Sequence, residues 1–214
     1  MKVSYPSNVG EIKVVDLFCG IGGLTHGLML EGFNVTAGVD NDASCKYAFE
    51  KNNRSTFIHK DIADFSSEEL KKLYKGSPIK VLIGCAPCQP FSSLNKNKSA
   101  YKTRDKRWEP LFKFIKLIKD VRPDVVSMEN VADLSNTEKY PVFAKFTRTL
   151  KAQGYNVSYR TVDVSRYGVP QKRKRLVLLA SRLGEISLIP ETHDKDNLVT
   201  VRDVIGRSLP ITSR

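Results

Sequence analysis

The chain has no run of about 18 apolar residues that could cross a bilayer. Its first residues, MKVSYPSNVGEIK, lack the apolar segment of a secretory signal. No membrane association is therefore expected, and a reducing cell interior is, with the cysteines held as thiols. Cysteine itself is sparse, at 19, 45, 85 and 88 only, with one C-x-x-C pair and His26, His59 and His193 scattered. A structural zinc site wants a second pair or clustered histidines, so no metal is expected. Neither phosphate-binding glycine pattern is present. From Gly20 the chain reads GIGGLT, which is not G-x-G-x-x-G, and no G-x-x-x-x-G-K-[ST] run occurs. Internal repeats and low-complexity linkers are also missing.

What is present fits one globular domain: 214 residues, 41% apolar and 27% charged. The net charge of +12 is uneven. Lys96 to Arg122 holds ten Lys or Arg against three acids, and Lys172-Arg173-Lys174-Arg175 adds four more. Such clusters suit a polyanion, because each neutralised phosphate releases counterions. A solvated basic face is the ordinary alternative.

Short β-rich runs alternate with helical spacing. Strands are expected at 12–18, 34–40, 56–59, 79–84 and 124–129, with helices at 24–31, 43–52, 66–74 and 111–120 between them. Ser66-Ser67-Glu68-Glu69 opens the third helix as a capping box. This alternation predicts a doubly wound α/β fold, a mostly parallel sheet with its ligand crevice at the strands' carboxyl ends. After a helix at 141–153, strands at 155–164 and 175–181 predict a closing antiparallel hairpin. The segment from 185 onward is Pro-punctuated and is expected to carry little core.

The chemistry-bearing residues fall at the strand ends. DLFCGIGG after the first strand lets backbone approach a ligand, although a plain tight turn explains it equally. Asp40 follows about 20 residues on, where an acid can accept ribose hydroxyls. Asp61, after the third strand, could receive an adenine amino group or merely cap a turn. Together these favour an adenosine ligand without a pyrophosphate. The fourth strand ends in GCAPCQPF, whose cysteine spacing allows a redox pair, half a metal site, or a loop presenting one thiolate. The fifth ends in Met128-Glu129-Asn130-Val131. A buried glutamate with raised pKa can serve as an acid opposite a thiolate nucleophile, and a structural carboxylate is its bland reading.

DLFCGIGG, PCQPFS, ENV and YGVPQKRKR, in this order, resemble the ordered motifs of the cytosine-C5 DNA methyltransferases. The resemblance covers about residues 12 to 181. It implies a Rossmann-like methyltransferase fold and S-adenosyl-L-methionine as cofactor, leaving S-adenosyl-L-homocysteine. Phe18 would pack on the adenine, Gly20, Gly22 and Gly23 would admit the methionine end, and Asp40 and Asp61 would hold ribose and adenine. Asp16, Asn41, Ile62 and Pro87 would complete that pocket. Cys88 would attack C6 of a cytosine flipped out of double-stranded DNA. Glu129 would bind the ring at N3 and the exocyclic amine, Arg175 would contact O2, and Arg173 would organise the pocket or the phosphates. Residues 92–108 would form a loop closing over the base. The implied setting is a prokaryotic cytoplasm, with the DNA.

Two features depart from the family pattern. Cys85 and Ala86 stand where glycine or serine and then proline are usual, and the chain carries no target-recognition region or final cofactor motif. The expected organisation is thus a catalytic and cofactor-binding domain over 1–184 with an extension over 185–214, either one subunit of a split enzyme or a shortened form of a longer chain, completed by further polypeptide. Two rivals remain at this stage. A thioredoxin-like C-x-P-C oxidoreductase would act through Cys85, whereas the methyltransferase reading leaves Cys85 a bystander. A catalytically silent DNA- or cofactor-binding subunit has no need of Cys88, Glu129 and Arg175 as a set.

Overall fold

The computed structural model describes residues 12–87 and 108–206, and among these seven strands and six α-helices follow one another, alternating as far as the sixth strand. The first half runs β1 (Ile12–Leu17), α1 (Gly23–Leu30), β2 (Asn34–Asp40), α2 (Cys45–Asn52), β3 (Thr56–His59), α3 (Ser67–Leu73) and β4 (Ile79–Gly84). The second half runs α4 (Glu109–Val121), β5 (Val125–Val131), α5 (Pro141–Ala152), β6 (Asn156–Asp163), β7 (Lys174–Ser181) and α6 (Val201–Ile205). The sheet order is β3-β2-β1-β4-β5-β7-β6. All neighbours from β3 to β5 are parallel, while β7 runs antiparallel to both β5 and β6. Chain direction across the sheet reverses between β1 and β4. That switch point opens the crevice at the carboxyl ends.

The expected alternation and the closing hairpin are both found. The hairpin enters the sheet by its second strand, so β6 forms the edge.

The central strands are apolar on both faces because helices cover both. From β1, Val15 and Leu17 join the large core under α3, α4 and α5, and Val14 joins Val35 and Ile83 beneath α1. The long amphipathic α4 buries Leu111, Phe114, Ile115, Leu117 and Ile118. Full burial of Phe114 alone contributes about 1.5–3 kcal/mol. Trp108, expected at the end of a closing loop, is instead 1% exposed and packs edge-on against Phe112. It belongs to the core, and residues 92–107 of the expected loop lie outside the described residues. No residue from 182 to 206 is buried, as expected for the extension. Residues 189–193 nonetheless dock on the turn after β6. The Arg166 carbonyl accepts from the Thr192 and His193 amides, and the Arg166 guanidinium pairs with Glu191 at 2.9 Å.

Candidate active site

The crevice divides into a loop-lined half at the ends of β1, β2 and β3, and an ion-paired half at the ends of β4 and β5. In the first half, β1 stops at Leu17 because Phe18 takes φ 60, a left-handed conformation rare for an aromatic. The Phe18 and Cys19 amides both donate to the Val39 carbonyl, which ties the turn to β2. Phe18 is half-buried and meets Phe114 edge-on. Gly20 then donates its amide to Asp40 Oδ2 at 2.8 Å, and Asp42 donates to Oδ1 at 2.9 Å. Asp40 thus holds the glycine turn in place before any ligand arrives.

Two glycines of the turn differ in what surrounds them. At Gly22, φ is 88 and a Cβ would lie 2.4 Å from Asn53 Nδ2 and 2.7 Å from the Phe49 ring. Close packing and backbone conformation both demand glycine there. A Cβ at Gly20 would meet nothing within 4 Å, and the same holds at Gly23. The turn is packed beneath and open above, as a cradle for a small ligand requires.

Asp16 faces the interior. It is 1% exposed and accepts the Thr25 hydroxyl at 2.8 Å, so it fastens α1 to β1. Burial, with like-charge Asp40 nearby, raises its pKa to about 7. Asn41 reaches Asp61 at 3.5 Å, and Asp61 accepts the Ala63 amide at 2.8 Å, starting the turn that buries Ile62. The sequence-named residues Phe18, Gly20, Gly22, Gly23, Asp40, Asn41, Asp61 and Ile62 therefore share one end of the sheet, with Asp16 beneath them.

In the second half, β4 ends at Gly84, opposite Met128, while β5 continues to Val131. Glu129 stands on this overhang beside Cys85. Their separation is 2.6 Å from Cys85 Sγ to Glu129 Oε2. On the other side, Arg175 lies diagonally across the β5–β7 ladder, its Nε 2.7 Å from Glu129 Oε1. The expected full burial of Glu129 is not found. The Glu129 side chain is 29% exposed and ion-paired. Nor is Cys85 a bystander, since it touches that carboxylate. Arg173 is exposed, and its carbonyl accepts the Val164 amide at 2.9 Å. Pro87 is exposed at the end of the described segment, and Cys88 lies outside the described residues.

Asn130 is a site residue that the sequence reading quoted within ENV but gave no task. It is 1% exposed and donates from Nδ2 to the Ala86 carbonyl at 3.0 Å. It thereby holds the backbone two residues before Cys88. The signal available was an amide amid an apolar strand, a residue that must find partners when buried.

The other cysteines have surroundings that oppose thiolate formation. Burial and the nearby carboxylates of Asp16 and Asp40 push the Cys19 thiol far up, and burial with Asp42 and Asp40 raises Cys45.

Fold and site together define a Rossmann-like α/β domain built around a small-ligand cradle and an Arg–Glu–Cys cluster. Residues 12–210 match the family model of the C-5 cytosine-specific DNA methylases, and the chain belongs to that family. It is 51% identical over 193 residues to the Type II methylase M.HgiDII of Herpetosiphon aurantiacus, covering 90% of this chain and 53% of that one. Over 211 residues it is 29% identical to the Type II methyltransferase M.AquIA of a Picosynechococcus species, covering 93% of this chain and 84% of that one. Among solved structures, a prophage-encoded DNA modification methyltransferase of E. coli superposes with TM-score 0.73 at 26% identity, over 91% of this chain and 54% of that one. The S. pombe Dnmt2 methyltransferase gives TM-score 0.65 at 19% identity, over 92% and 54%, and shares the fold. The chain spans about half the length of most relatives it matches.

Proposed function

We propose that this chain is the catalytic part of a DNA (cytosine-5)-methyltransferase that acts through a covalent Cys88 adduct. The observation carrying the reading is Glu129, presented on the overhang of β5 between Arg175 and the strand that leads to Cys88. Thiolate formation is opposed at Cys19 and Cys45 and Cys85 lies against the Glu129 carboxylate, which favours the PCQ cysteine as the nucleophile. Residues 1–184 form the catalytic and cofactor domain, and 185–214 lead toward target recognition.

The turn at 18–23, with Asp40 and Asp61, holds S-adenosylmethionine. The space above Gly20 and Gly23 and the acids at the ends of β2 and β3 fit an adenosine-bearing ligand. Bound there, it supplies the methyl group that the activated cytosine takes, leaving S-adenosylhomocysteine.

The protein's own work begins with a cytosine flipped from duplex DNA, because C6 is out of reach inside the stack. The Cys88 thiolate bonds to C6. Glu129 accepts from the exocyclic amine and, having taken up a proton from solvent as the base binds, donates it to N3, which receives the electron density displaced by attack and returns the proton when the thiolate leaves. C5 becomes enamine-like and takes the methyl. Loss of the C5 proton then breaks the sulfur–C6 bond and returns the thiolate. Arg175 holds Glu129 against the strand and turns to the cytosine O2, while Arg173 and its neighbours meet phosphates.

Target reading comes from polypeptide beyond this catalytic part, and a complementary chain is the arrangement we favour. The names of the relatives favour a restriction-modification setting. The test is methyl transfer to duplex DNA by this chain together with its completing polypeptide. Cys88→Ser and Glu129→Gln are each expected to lower turnover by about a thousandfold or more. Either variant retaining wild-type turnover contradicts the reading.

A further inference from the structure

Cys85 occupies a place where the family pattern has glycine or serine, yet its sulfur is the atom nearest the second oxygen of Glu129. Cys85 Sγ lies 2.6 Å from Glu129 Oε2, in direct contact with the carboxylate. Arg175 Nε holds Oε1 at 2.7 Å, so the thiol faces the other carboxylate oxygen, which can accept from it. The thiol is therefore the donor. We infer that Cys85 is a positioning residue that fixes the rotamer of Glu129 for the incoming cytosine.

The geometry explains why a second tether matters. Glu129 projects from the part of β5 that extends past the end of β4, so it lacks a side-chain neighbour from β4 itself. Arg175 alone, reaching diagonally from β7, would leave the carboxylate free to rotate about its terminal bond. The Cys85 thiol on the opposite side closes that freedom. Asn130, next along β5, pins the Ala86 carbonyl and so holds Cys85 within reach. When cytosine arrives, its exocyclic amine replaces the thiol as donor to a carboxylate already in place. The C-x-x-C spacing then has two tasks on one loop, with Cys88 as nucleophile and Cys85 as positioner of its acid–base partner.

This inference rests on the role proposed for Glu129, and the tests separate the two. First, the contact itself is read without turnover. In a Cys88→Ser background, iodoacetamide labelling of Cys85 is followed by peptide mass spectrometry, with and without Glu129→Gln. A neighbouring carboxylate suppresses the reactive thiolate, so Glu129→Gln is expected to speed labelling about tenfold. An unchanged rate overturns the contact. Second, steady-state kinetics are compared for Cys85→Ala and Cys85→Ser in the completed enzyme. Alanine is expected to lower kcat about tenfold with KM for DNA within about twofold, and serine to restore kcat to within about twofold of wild type. Alanine and serine behaving alike, or a loss confined to KM, overturns the positioning role. Full turnover by Glu129→Gln, by contrast, removes the functional reading of Glu129 and this inference with it.

Discussion

Asp16 carries the largest residue-scale consequence for stability. Its folded pKa, raised to about 7 from 3.8, means that folding favours the protonated form. The stability it contributes is complete below pH 3.8 and is lost as pH rises toward 7. At about 1.4 kcal/mol per pH unit, the loss across that window is on the order of 4 kcal/mol. Asp16→Asn keeps an acceptor for Thr25 and removes the titration. The variant is expected to gain on wild type steadily between pH 4 and 7.5 in urea unfolding, and a pH-independent difference contradicts this. The burial of Asp16 was not legible in the sequence, where it reads as one more polar residue before a glycine turn. Only the sheet shows that its strand is covered on both faces. Cys85 failed to stand out for a related reason. Its contact is with a residue 44 positions away, across a strand pair that periodicity does not register.

The elements were far more legible, since their signals are local. The capping box at Ser66 is present in full: Ser66 Oγ accepts the Glu69 amide at 3.2 Å and Glu69 Oε2 accepts the Ser66 amide at 2.9 Å. Lys60 adds an ion pair of 2.7 Å, and these partners hold Glu69 down at about 2. Ser66→Ala is expected to cost about 1 kcal/mol, measured as a shift in the unfolding midpoint, and no shift would show that α3 is held by packing alone. Where element ends departed from expectation, non-local or side-chain partners decided. β5 extends past Glu129 because Val131 pairs with Arg175 of β7, two segments far apart in sequence. α2 starts at Cys45, later than the expected 43, because Asp42 takes the Ser44 amide and hydroxyl in a local turn. The insertion of β7 between β5 and β6 followed the same logic. Two strands joined by a basic loop announce a hairpin but not which strand enters the sheet.

At the scale of the whole molecule, the fold places a ligand cradle and an ion-paired glutamate on one rim, either side of the switch between β1 and β4. The turn that ties β1 to β2 was readable because its glycines and Asp40 sit next to their strands. The ion-paired half was not readable from local pattern, because Glu129 meets Arg175 and Cys85 across strands far apart in sequence. Part of the basic excess proves ordinary, for Lys116 pairs with Asp120 along α4. Of the arginine loop, Arg175 reaches the site, pairing with Glu129. The central claim concerns which sulfur bonds to the base. The direct measurement is covalent capture on duplex DNA with every cytosine replaced by 5-fluorocytosine, in the presence of S-adenosylmethionine and the completing polypeptide. The fluorine blocks loss of the C5 substituent, so the adduct persists through denaturation. The expected result is an adduct mapped to Cys88, absent in Cys88→Ser and retained in Cys85→Ser. No adduct, or one that survives Cys88→Ser, would contradict the mechanism.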